Sequence, residues 1–367
     1  MKDGKKSVVI NGRFLGQPVT GVQRFAEEIT AALLELADFP IEILVPRGVR
    51  PRADGPLVGA PVTEVGRTGG HLWEQVDLPL HLKRHGSPLL IGLSSTAPAF
   101  YKRQFAPHHD VTYVRYPESF SWKFRLLYRV LAPFFLKSAM RIITVSEFSR
   151  SEIAEHFKVD PEKIIVVPNA PSAIFAQKSQ RSVRATPGAP EHPYFLAVSS
   201  PNIHKNFDRL EQAFEVFTAG DESDIELRII GQQSQSFAKR EVPGSTRVRY
   251  LGRVSDSELA DAYAGALAFV FPSLYEGFGI PPLEAQAAGA PVIASKTASM
   301  PEVLGDSVLY IDPLDTSSIA GALNELASND HLRTELREHG RENSARFSWR
   351  LSAAHLLEEV TRTSTSG

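Results

Sequence analysis

Residues 269–284 read Phe-Val-Phe-Pro-Ser-Leu-Tyr-Glu-Gly-Phe-Gly-Ile-Pro-Pro-Leu-Glu, and this stretch decides the predicted fold. The apolar run that ends near Phe271 is typical of a buried strand, and a glycine-containing loop follows it. Two consecutive prolines then favour the start of a helix, where their missing N–H groups cost little. The stretch is therefore predicted to be strand, loop and helix, with Glu276 in the loop and Glu284 about one turn into the helix.

The same alternation of short apolar runs and amphipathic segments continues on both sides of this stretch. In the first half, the predicted strands are Ser7–Ile10, Ile41–Val45, Leu89–Leu93, Val111–Val114 and Ile142–Val145. In the second half, they are Tyr194–Val198, Glu226–Ile230, Val248–Leu251, Ala268–Phe271, Pro291–Ala294 and Val308–Ile311. Apolar residues at helical spacing predict helices such as 21–36 and 207–217, and a capping-box pattern starts another at Ser255. Repeated strand–helix units predict an α/β chain with parallel sheets.

A segment that contains prolines and glycine, residues 177–193, separates the two halves and is predicted to be a linker. It leaves a first domain over 1–176, a second over 194–346 and an amphipathic tail over 347–367. The length of 367 residues suits two domains. Because ligands of open parallel sheets bind beyond the carboxyl ends of the strands, the chemistry is expected in loops that follow strands, in a cleft between the two domains.

Composition excludes several functional classes. The chain has 40 basic and 42 acidic residues and a formal net charge of −2, so it has no bulk field that would attract nucleic acid. It has no cysteine, which excludes a disulfide scaffold, a thiolate nucleophile and cysteine-ligated zinc. Neither a signal-peptide core nor an apolar run of roughly 18 residues is present, so a cytoplasmic protein is expected.

The residue types in the loop and helix of residues 276–284 suit a phosphorylated sugar. Gly277 and Gly279 let backbone N–H groups approach a ligand, and the positive end of a helix favours phosphate. Carboxylates only accept hydrogen bonds, so Glu276 and Glu284 can each bind paired hydroxyls of a sugar or a ribose. Two glutamates at this spacing also occur at ordinary helix starts, where the dipole favours them. The full nine-residue string favours a ligand site instead.

The string Glu276-Gly-Phe-Gly-Ile-Pro-Pro-Leu-Glu284 resembles the E-x7-E signature of retaining glycosyltransferases of family 4. Members of that family have the GT-B fold, an α/β architecture of two Rossmann-like parallel-sheet domains that face each other across a cleft. The resemblance implies that Glu276 contacts the transferred sugar and that Glu284 holds the donor ribose. It also implies that the amides of Gly277, Phe278 and Gly279 reach the sugar and the phosphates.

The segment 196–206 resembles the basic loop with which the family holds the donor phosphates, and Lys205 stands at the position of its lysine. A lysine there would stabilise the charge that grows on a leaving diphosphate. The alternative is a solvated loop lysine. Many relatives have an arginine where this chain has Ser200. The candidates to replace that cation are Arg253, His204 and Arg24.

Further resemblances lie in the first half. The segment 11–24 resembles the family's glycine-rich first loop, which implies that Gly16 and Gly21 lie near the donor, although such turns often only connect elements. In the His-His-Asp string at 108–110, His109 matches the family's histidine beside the reacting carbon, and the alternative is a structural histidine. The residues predicted to lie on the acceptor side are Trp73, Gln75, Ser94 and Asp110.

The segment 102–141 mixes bases with large apolar residues such as Trp122 and Phe134. Basic amphipathic segments with aromatic residues can lie on anionic membranes. The alternative is a core helix with a solvated basic face. Both interpretations stay open at this level.

The resemblance implies a metal-independent retaining hexosyltransferase without a cofactor, in which the first domain binds the acceptor and the second the donor. Similarity of 21–24 and 279–284 to bacterial mannosyl- and rhamnosyltransferases of surface-polysaccharide assembly favours GDP-mannose as donor. The acceptor would be a hydroxyl of a saccharide or a lipid-linked saccharide. The protein would associate peripherally with the inner face of the cytoplasmic membrane. The tail 347–367 would pack back on the first domain. The alternatives are a dTDP- or GDP-6-deoxyhexose or a UDP-sugar as donor, a two-domain sugar-nucleotide epimerase, a phosphorylase or hydrolase, and a non-catalytic nucleotide-sugar-binding subunit.

Overall fold

The structure, a computed structural model, describes residues 8–179, 192–199, 202–219, 224–231 and 247–365. The chain divides into two compact units. Unit 1 comprises Met1–Val111, Ser121–Asn169 and Ser348–Gly367. Unit 2 comprises Thr112–Phe120 and Ala170–Phe347.

Each unit contains one sheet in which every strand pairing is parallel. The strands of unit 1 are β1 (Val8–Asn11), β2 (Ile41–Val45), β3 (Thr63–Glu64), β4 (Leu89–Ile91), β5 (Gln104–Pro107), β6 (Arg141–Thr144) and β7 (Ile164–Val166). The strands of unit 2 are β8 (Tyr194–Ser199), β9 (Glu226–Gly231), β10 (Val248–Gly252), β11 (Ala268–Phe271), β12 (Val292–Ser295) and β13 (Leu309–Ile311). The prediction of an α/β chain with two parallel sheets is confirmed.

The helices follow in chain order. They are α1 (Gly21–Leu36), α2 (Gly70–Leu72), α3 (Leu78–Arg84), α4 (Thr112–Arg115), α5 (Trp122–Ser138), α6 (Glu147–Phe157), α7 (Ala173–Ser179), α8 (Phe207–Ala219), α9 (Asp256–Gly265), α10 (Ile280–Ala287), α11 (Met300–Leu304), α12 (Thr316–Ser328), α13 (Asp330–Ser344) and α14 (Trp349–Thr365). A π-helical turn, Trp73–Asp77, joins α2 to α3. Short 3-10 helices lie at Gly12–Gly16, Pro117–Ser119, Pro161–Lys163 and Ile203–Lys205. No helix in the described ranges is long and apolar enough to cross a membrane.

The two sheets share an arrangement that decides where ligands can bind. In unit 1 the strand order is β3-β2-β1-β4-β5-β6-β7, and in unit 2 it is β10-β9-β8-β11-β12-β13. In each sheet the chain first builds outward on one side of its first strand and then continues on the other side. The carboxyl ends of β1 and β4, and of β8 and β11, therefore form topological switch points, which are the preferred ligand sites of such sheets.

One predicted strand is wrong. The structure has no strand at Val111–Val114; Thr112–Arg115 forms a helical turn instead. The strand between β4 and β6 is instead β5, Gln104–Pro107, which pairs with both of them. Its sequence, Gln-Phe-Ala-Pro, lacks the β-branched run that marks a buried strand, and proline is tolerated at this position because it ends the strand.

The unit boundaries differ from the predicted domains in two places. Residues 112–120 belong to unit 2 although they lie far inside the predicted first domain, and Ala170 rather than residue 177 begins the long part of unit 2. The ring of Phe175 on α7 meets Tyr263 edge to face, with centroids 5.9 Å apart. This contact holds α7 on unit 2. Of the predicted linker 177–193, residues 180–191 lie outside the described residues.

Helix α14 returns the end of the sequence to unit 1. It packs along α1, where the rings of Trp349 and Phe25 lie 6.1 Å apart. The hydroxyl of Ser352 donates to the carbonyl of Pro168 over 2.8 Å. The apolar side chains Ala353, Leu356 and Val360 are buried there. The structure thus places the tail 347–367 almost entirely with unit 1, beginning at Ser348.

Candidate functional site

The loop between β11 and α10 is braced by two neighbouring loops of unit 2. The amide of Leu274 donates to the carbonyl of His204 over 2.8 Å, which ties the loop to the segment after β8. The hydroxyl of Ser299 donates to the carbonyl of Glu276 over 3.0 Å, and that of Thr297 to the carbonyl of Ser273 over 3.3 Å. These bonds fix the backbone around Glu276 at the switch point between β8 and β11.

Lys205 and Glu276 face each other at this switch point. Lys205 closes the 3-10 turn after β8, and its Nζ donates to Glu276 Oε1 over 2.5 Å. Asn206 follows in the left-handed region at φ 62°, and its side-chain amide donates to the carbonyl of Pro272. The Lys205 and Glu276 side chains are 19% and 14% exposed, so a ligand can reach both. Each group partly neutralises the charge of the other.

Gly279 caps α10 in a conformation that only glycine adopts easily. Its φ is 91°, and a Cβ at this position would collide with Cε of Met300. Pro281 and Pro282 lie in the first turn of α10, as the sequence predicted. Because Pro281 and Pro282 have no N–H, the backbone donors at the start of α10 are the amides of Gly279 and Ile280, and a helix start of this kind can bind an anion.

The other predicted donor residues occupy different environments. Glu284 is buried inside α10, and the ring of Phe278 is buried against Phe347 with centroids 5.6 Å apart. Phe278 can therefore offer only its backbone to a ligand. Arg253 is exposed and follows β10, which is the edge strand of the sheet and lies two strands from β8.

His204 does not supply the cation that many relatives provide with an arginine at the position of Ser200. Its side chain is buried, its Nδ1 lies 3.0 Å from the hydroxyl of Ser119, and its ring stacks on Phe120 with an interplanar angle of 5°. The segment 112–120 thus packs on the residue before Lys205. This environment corrects the suggestion that His204 replaces the missing arginine. Ser200 itself lies outside the described residues.

In unit 1, the bonding of His109 fixes its protonation. Nε2 lies 3.1 Å from the carbonyl oxygen of Leu93 and 3.0 Å from that of Ser94, so Nε2 carries the hydrogen and donates. Burial lowers the pKa of His109, which keeps the ring neutral. Its Nδ1 then has a lone pair that can accept a hydrogen bond from a hydroxyl. The neighbouring His108 is a core residue, and burial lowers its pKa to about 3.

The predicted acceptor-side residues need one correction. Trp73 is fully buried and donates from Nε1 to the carbonyl of Val65 over 2.8 Å, so it leaves no surface for an acceptor. Gln75 uses both ends of its amide on the backbone of Ala97 and Ala99. Ser94 is buried after β4, and Asp110 is half-buried after β5. Gly16 and Gly21 are exposed at the end of the first 3-10 turn and the start of α1.

The sequence did not identify the charged residue between Trp73 and Gln75. Glu74 is fully buried and pairs with Arg13, whose Nε lies 3.1 Å from Glu74 Oε1. A glutamate inside an apolar helical stretch is a weak signal that a buried partner exists. The partner lies 61 residues away, so spacing alone could not reveal it.

No group of three or more histidine, aspartate or glutamate side chains in the described part of the chain could hold a metal ion. Metal independence and the lack of a cofactor stay predictions.

Two family models match most of the chain. The model described as Glycosyltransferase Family 4 matches residues 19–170, and that described as Glycosyl transferases group 1 matches residues 179–343. The chain belongs to glycosyltransferase family 4. Of the predicted site residues, His109 lies in the range of the first model, and Lys205, Glu276 and Glu284 lie in that of the second.

Curated relatives of this family-4 chain include two O-antigen enzymes. The O-antigen chain mannosyltransferase B of Escherichia coli is 34% identical over 227 residues, which are 58% of this chain and 58% of that protein. The O-antigen chain mannosyltransferase RfbU of Salmonella typhimurium is 28% identical over 336 residues, which are 87% and 90% of the two chains. The first match thus spans little more than half of the relative.

Solved structures support the GT-B fold of this family-4 chain. Sucrose-phosphate synthase from Thermosynechococcus elongatus matches with a TM-score of 0.71 at 16% identity, over 98% of this chain and 99% of that one. WaaG, a glycosyltransferase involved in lipopolysaccharide biosynthesis, matches with a TM-score of 0.67 at 17% identity, over 97% and 99%. At these identities the likeness concerns the fold alone.

Proposed function

We propose that this chain is a retaining mannosyltransferase that moves mannose from GDP-mannose to a hydroxyl group of a saccharide or a lipid-linked saccharide. The observation that carries the proposal is the Lys205–Glu276 pair at the switch point of unit 2, directly before the start of α10. This arrangement combines a cation and the amides at a helix start for a diphosphate with a carboxylate for sugar hydroxyls. The mannosyltransferase names of the O-antigen relatives support the choice of sugar.

In the proposed reaction, the bond between the anomeric carbon and the diphosphate oxygen breaks, and a bond to the acceptor oxygen forms on the same face. Lys205 and the first turn of α10 stabilise the negative charge that develops on the departing diphosphate. An oxygen of that diphosphate takes the proton from the acceptor hydroxyl. Glu276 orients the sugar through its hydroxyls, and Glu284 binds the ribose. These groups supply the charge stabilisation without a metal ion.

Unit 1 is proposed to bind the acceptor. The neutral ring of His109 offers Nδ1 as an acceptor for a sugar hydroxyl, because Nε2 is already committed to the carbonyls of Leu93 and Ser94. A neutral imidazole suits this task better than a cation would, because it orients a hydroxyl without attracting the diphosphate.

The direct test is a donor panel. Titration calorimetry with GDP-mannose, GDP-fucose, dTDP-rhamnose and UDP-glucose is expected to give the tightest binding for GDP-mannose. The anomeric configuration of the product, read by NMR, is expected to match that of the donor, and EDTA is expected to leave the rate unchanged. Failure of all four donors to bind would refute the proposal, and conversion of a donor without any acceptor would favour an epimerase.

We also propose that α5 of unit 1 contacts the inner face of an anionic membrane. Trp122, Leu126, Val130 and Phe134 follow one another at four-residue spacing and are 50–63% exposed. The exposed ring of Phe100 lies 5.8 Å from that of Phe134 and extends this surface. The helix contains four bases and no acid. An apolar surface among bases is the pattern of a helix that lies in the headgroup region of anionic lipids.

Replacing Trp122 and Phe134 together by serine is expected to lower binding to phosphatidylglycerol-containing vesicles about tenfold or more, because two large side chains leave the lipid. Co-sedimentation measures the effect. Leu351→Ser is the matched control, because Leu351 is 65% exposed on α14. Equal binding of the double variant and the unaltered chain, or equal binding to neutral vesicles, would contradict the membrane contact.

A further inference from the structure

Between β5 and α5 the chain leaves unit 1 and then returns to it. Thr112–Phe120 belong to unit 2, whereas the chain up to Val111 and from Ser121 belongs to unit 1. Most connections between the elements of a compact domain are only about four to six residues long. The segment 112–120 therefore does more than connect β5 to α5, and its contacts within unit 2 indicate what it holds in place.

Local hydrogen bonds give this segment a fixed shape. The amide of Tyr116 donates to the carbonyl of Thr112 over 2.8 Å, which closes α4. The amide of Ser119 donates to the carbonyl of Tyr116 over 3.1 Å. The amide of Phe120 donates to the carbonyl of Pro117 over 3.2 Å, and the proline ring fixes φ at the start of this 3-10 turn. The segment therefore presents its side chains to unit 2 from a well-defined backbone.

Side chains of the segment hold His204, the residue before Lys205. The hydroxyl oxygen of Ser119 lies 3.0 Å from Nδ1 of the buried imidazole. The ring centroids of Phe120 and Tyr116 lie 6.3 Å and 6.2 Å from that of the imidazole, and the ring of Phe120 is parallel to it. The backbone that leads into Lys205 cannot move without disturbing these contacts.

Tyr116 also contacts the loop that carries Glu276. Its ring centroid lies 6.1 Å from that of Tyr275, the residue before Glu276. Centroid separations of about 4.5 to 7 Å are those of interacting aromatic pairs. A backbone hydrogen bond from the amide of Leu274 to the carbonyl of His204 joins the same two loops, and Tyr116 adds a side-chain connection between them. Tyr116 thus contacts both residues that immediately precede the charged pair.

The geometry of the charged pair depends on where its two loops lie. Lys205 ends the short 3-10 turn after β8, and Glu276 lies in the loop between β11 and α10. Their positions therefore depend on contacts with neighbouring segments such as 112–120. A displacement of roughly 1 Å in a catalytic site can lower the rate about 100-fold. The contacts of Tyr116 can thus affect donor binding and transfer without touching the donor.

We propose that Tyr116 is a positioning residue of the donor site, which holds the loop of Lys205 and the loop of Glu276 at the spacing that a nucleotide sugar requires. Ser119 and Phe120 support this role through His204. The inference rests on the proposed function, because it concerns the same donor site. It gives the segment 112–120, which the sequence placed in the first domain, a task in the second.

Tyr116→Ala is expected to weaken GDP binding about tenfold and to lower kcat about tenfold, because the two loops lose their side-chain connection. The acceptor KM is expected to stay within about twofold, because transfer is impaired at the donor loops alone. Tyr116→Phe keeps the aromatic packing and is expected to restore both constants to within about twofold of the unaltered chain. Ser119→Ala is expected to weaken GDP binding about threefold. Calorimetry with GDP and a transfer assay with GDP-mannose measure these effects.

A double-variant cycle tests whether Tyr116 acts through Lys205. In the background of Lys205→Met, Tyr116→Ala is expected to weaken GDP binding by less than about twofold more, because the cation that Tyr116 positions is already absent. The full tenfold loss in both backgrounds would mean that Tyr116 acts independently of Lys205 and would overturn the positioning role.

Leu326→Ala is the control for lost stability. Leu326 is fully buried in the core of unit 2 on α12, so the variant is expected to unfold at a lower temperature and to bind GDP unchanged. If thermal unfolding shows that Tyr116→Ala does not fold, Ser119→Ala carries the same cycle.

Three results would overturn or redirect the inference. Unchanged GDP binding in both Tyr116→Ala and Ser119→Ala would overturn it. A loss in Tyr116→Phe as large as that in Tyr116→Ala would also overturn it, because the hydroxyl and not the packing of the ring would then matter. Failure of the unaltered chain to bind GDP would instead overturn the proposed donor assignment.

Discussion

Glutamine in place of Glu276 is expected to lower kcat/KM for sugar transfer by about 100-fold or more. GDP, in contrast, is expected to bind as tightly as to the unaltered chain or several-fold more tightly. Nζ of Lys205 donates to Glu276 Oε1 over 2.5 Å. Glutamine removes the negative charge that competes with the phosphates for this lysine. The same change weakens the hydrogen bonds that orient the sugar. Transfer of the sugar is therefore expected to slow while binding of GDP is kept.

Calorimetry with GDP and a transfer assay with GDP-mannose measure the two effects. Lys205→Met is expected to lower both GDP binding and transfer, because it removes the cation itself. Glu335→Gln on the exposed side of α13 is the control for loss of a glutamate charge and is expected to change neither. Loss of GDP binding in Glu276→Gln, to the level of Lys205→Met, would mean that Glu276 holds the loop rather than the sugar.

Alanine at Gly279 is expected to weaken donor binding about tenfold and to lower the unfolding temperature by several degrees. The φ of 91° strains any other residue by roughly 1–3 kcal/mol, and the added Cβ would collide with Met300. Relief of the collision requires the start of α10 to move. That movement displaces the backbone donors that are proposed to face the phosphates.

Two other glycines separate the causes of this effect. Gly305 also has a positive φ, of 51°, but no neighbour lies near its missing Cβ, so Gly305→Ala reports backbone strain alone. Gly321 lies within α12 with open space around it, and Gly321→Ala is expected to stabilise the chain by up to about 1 kcal/mol. If Gly279→Ala binds GDP-mannose as tightly as the unaltered chain, the start of α10 does not contact the phosphates.

The sequence predicts those features whose cause is local. Helix α1 has the predicted bounds, Gly21–Leu36, because its apolar spacing is regular throughout. The strands predicted in the second half are present with ends shifted by at most one residue. The loop of Glu276 and the start of α10 could be predicted because glycines and prolines fix the backbone by their own chemistry. Local signals also located Lys205 after β8.

Features that depend on distant partners could not be predicted in this way. The strand Gln104–Pro107 is defined by β4 and β6 on its two sides rather than by its own residues. The segment 112–120 belongs to unit 2 because Ser119 and Phe120 pack on His204, which lies more than 80 residues further along the chain. Glu74 is likewise explained only by Arg13 and Asn11. In each case the cause is a contact that the neighbouring sequence does not encode.

Because α14 packs on unit 1, unit 1 cannot finish folding until the end of the sequence has been synthesised. On the ribosome, the strands of unit 1 emerge first, then nearly all of unit 2, and only then the helix that covers α1. Until that moment α1 lacks the contacts that α14 and Trp349 supply. The ring of Phe25 meets Trp349 on one side and His109 on the other, with centroids 6.1 Å and 4.9 Å apart. The packing around His109 is thus completed late in translation, so a nascent chain that stops before α14 would leave unit 1 unfinished around this residue.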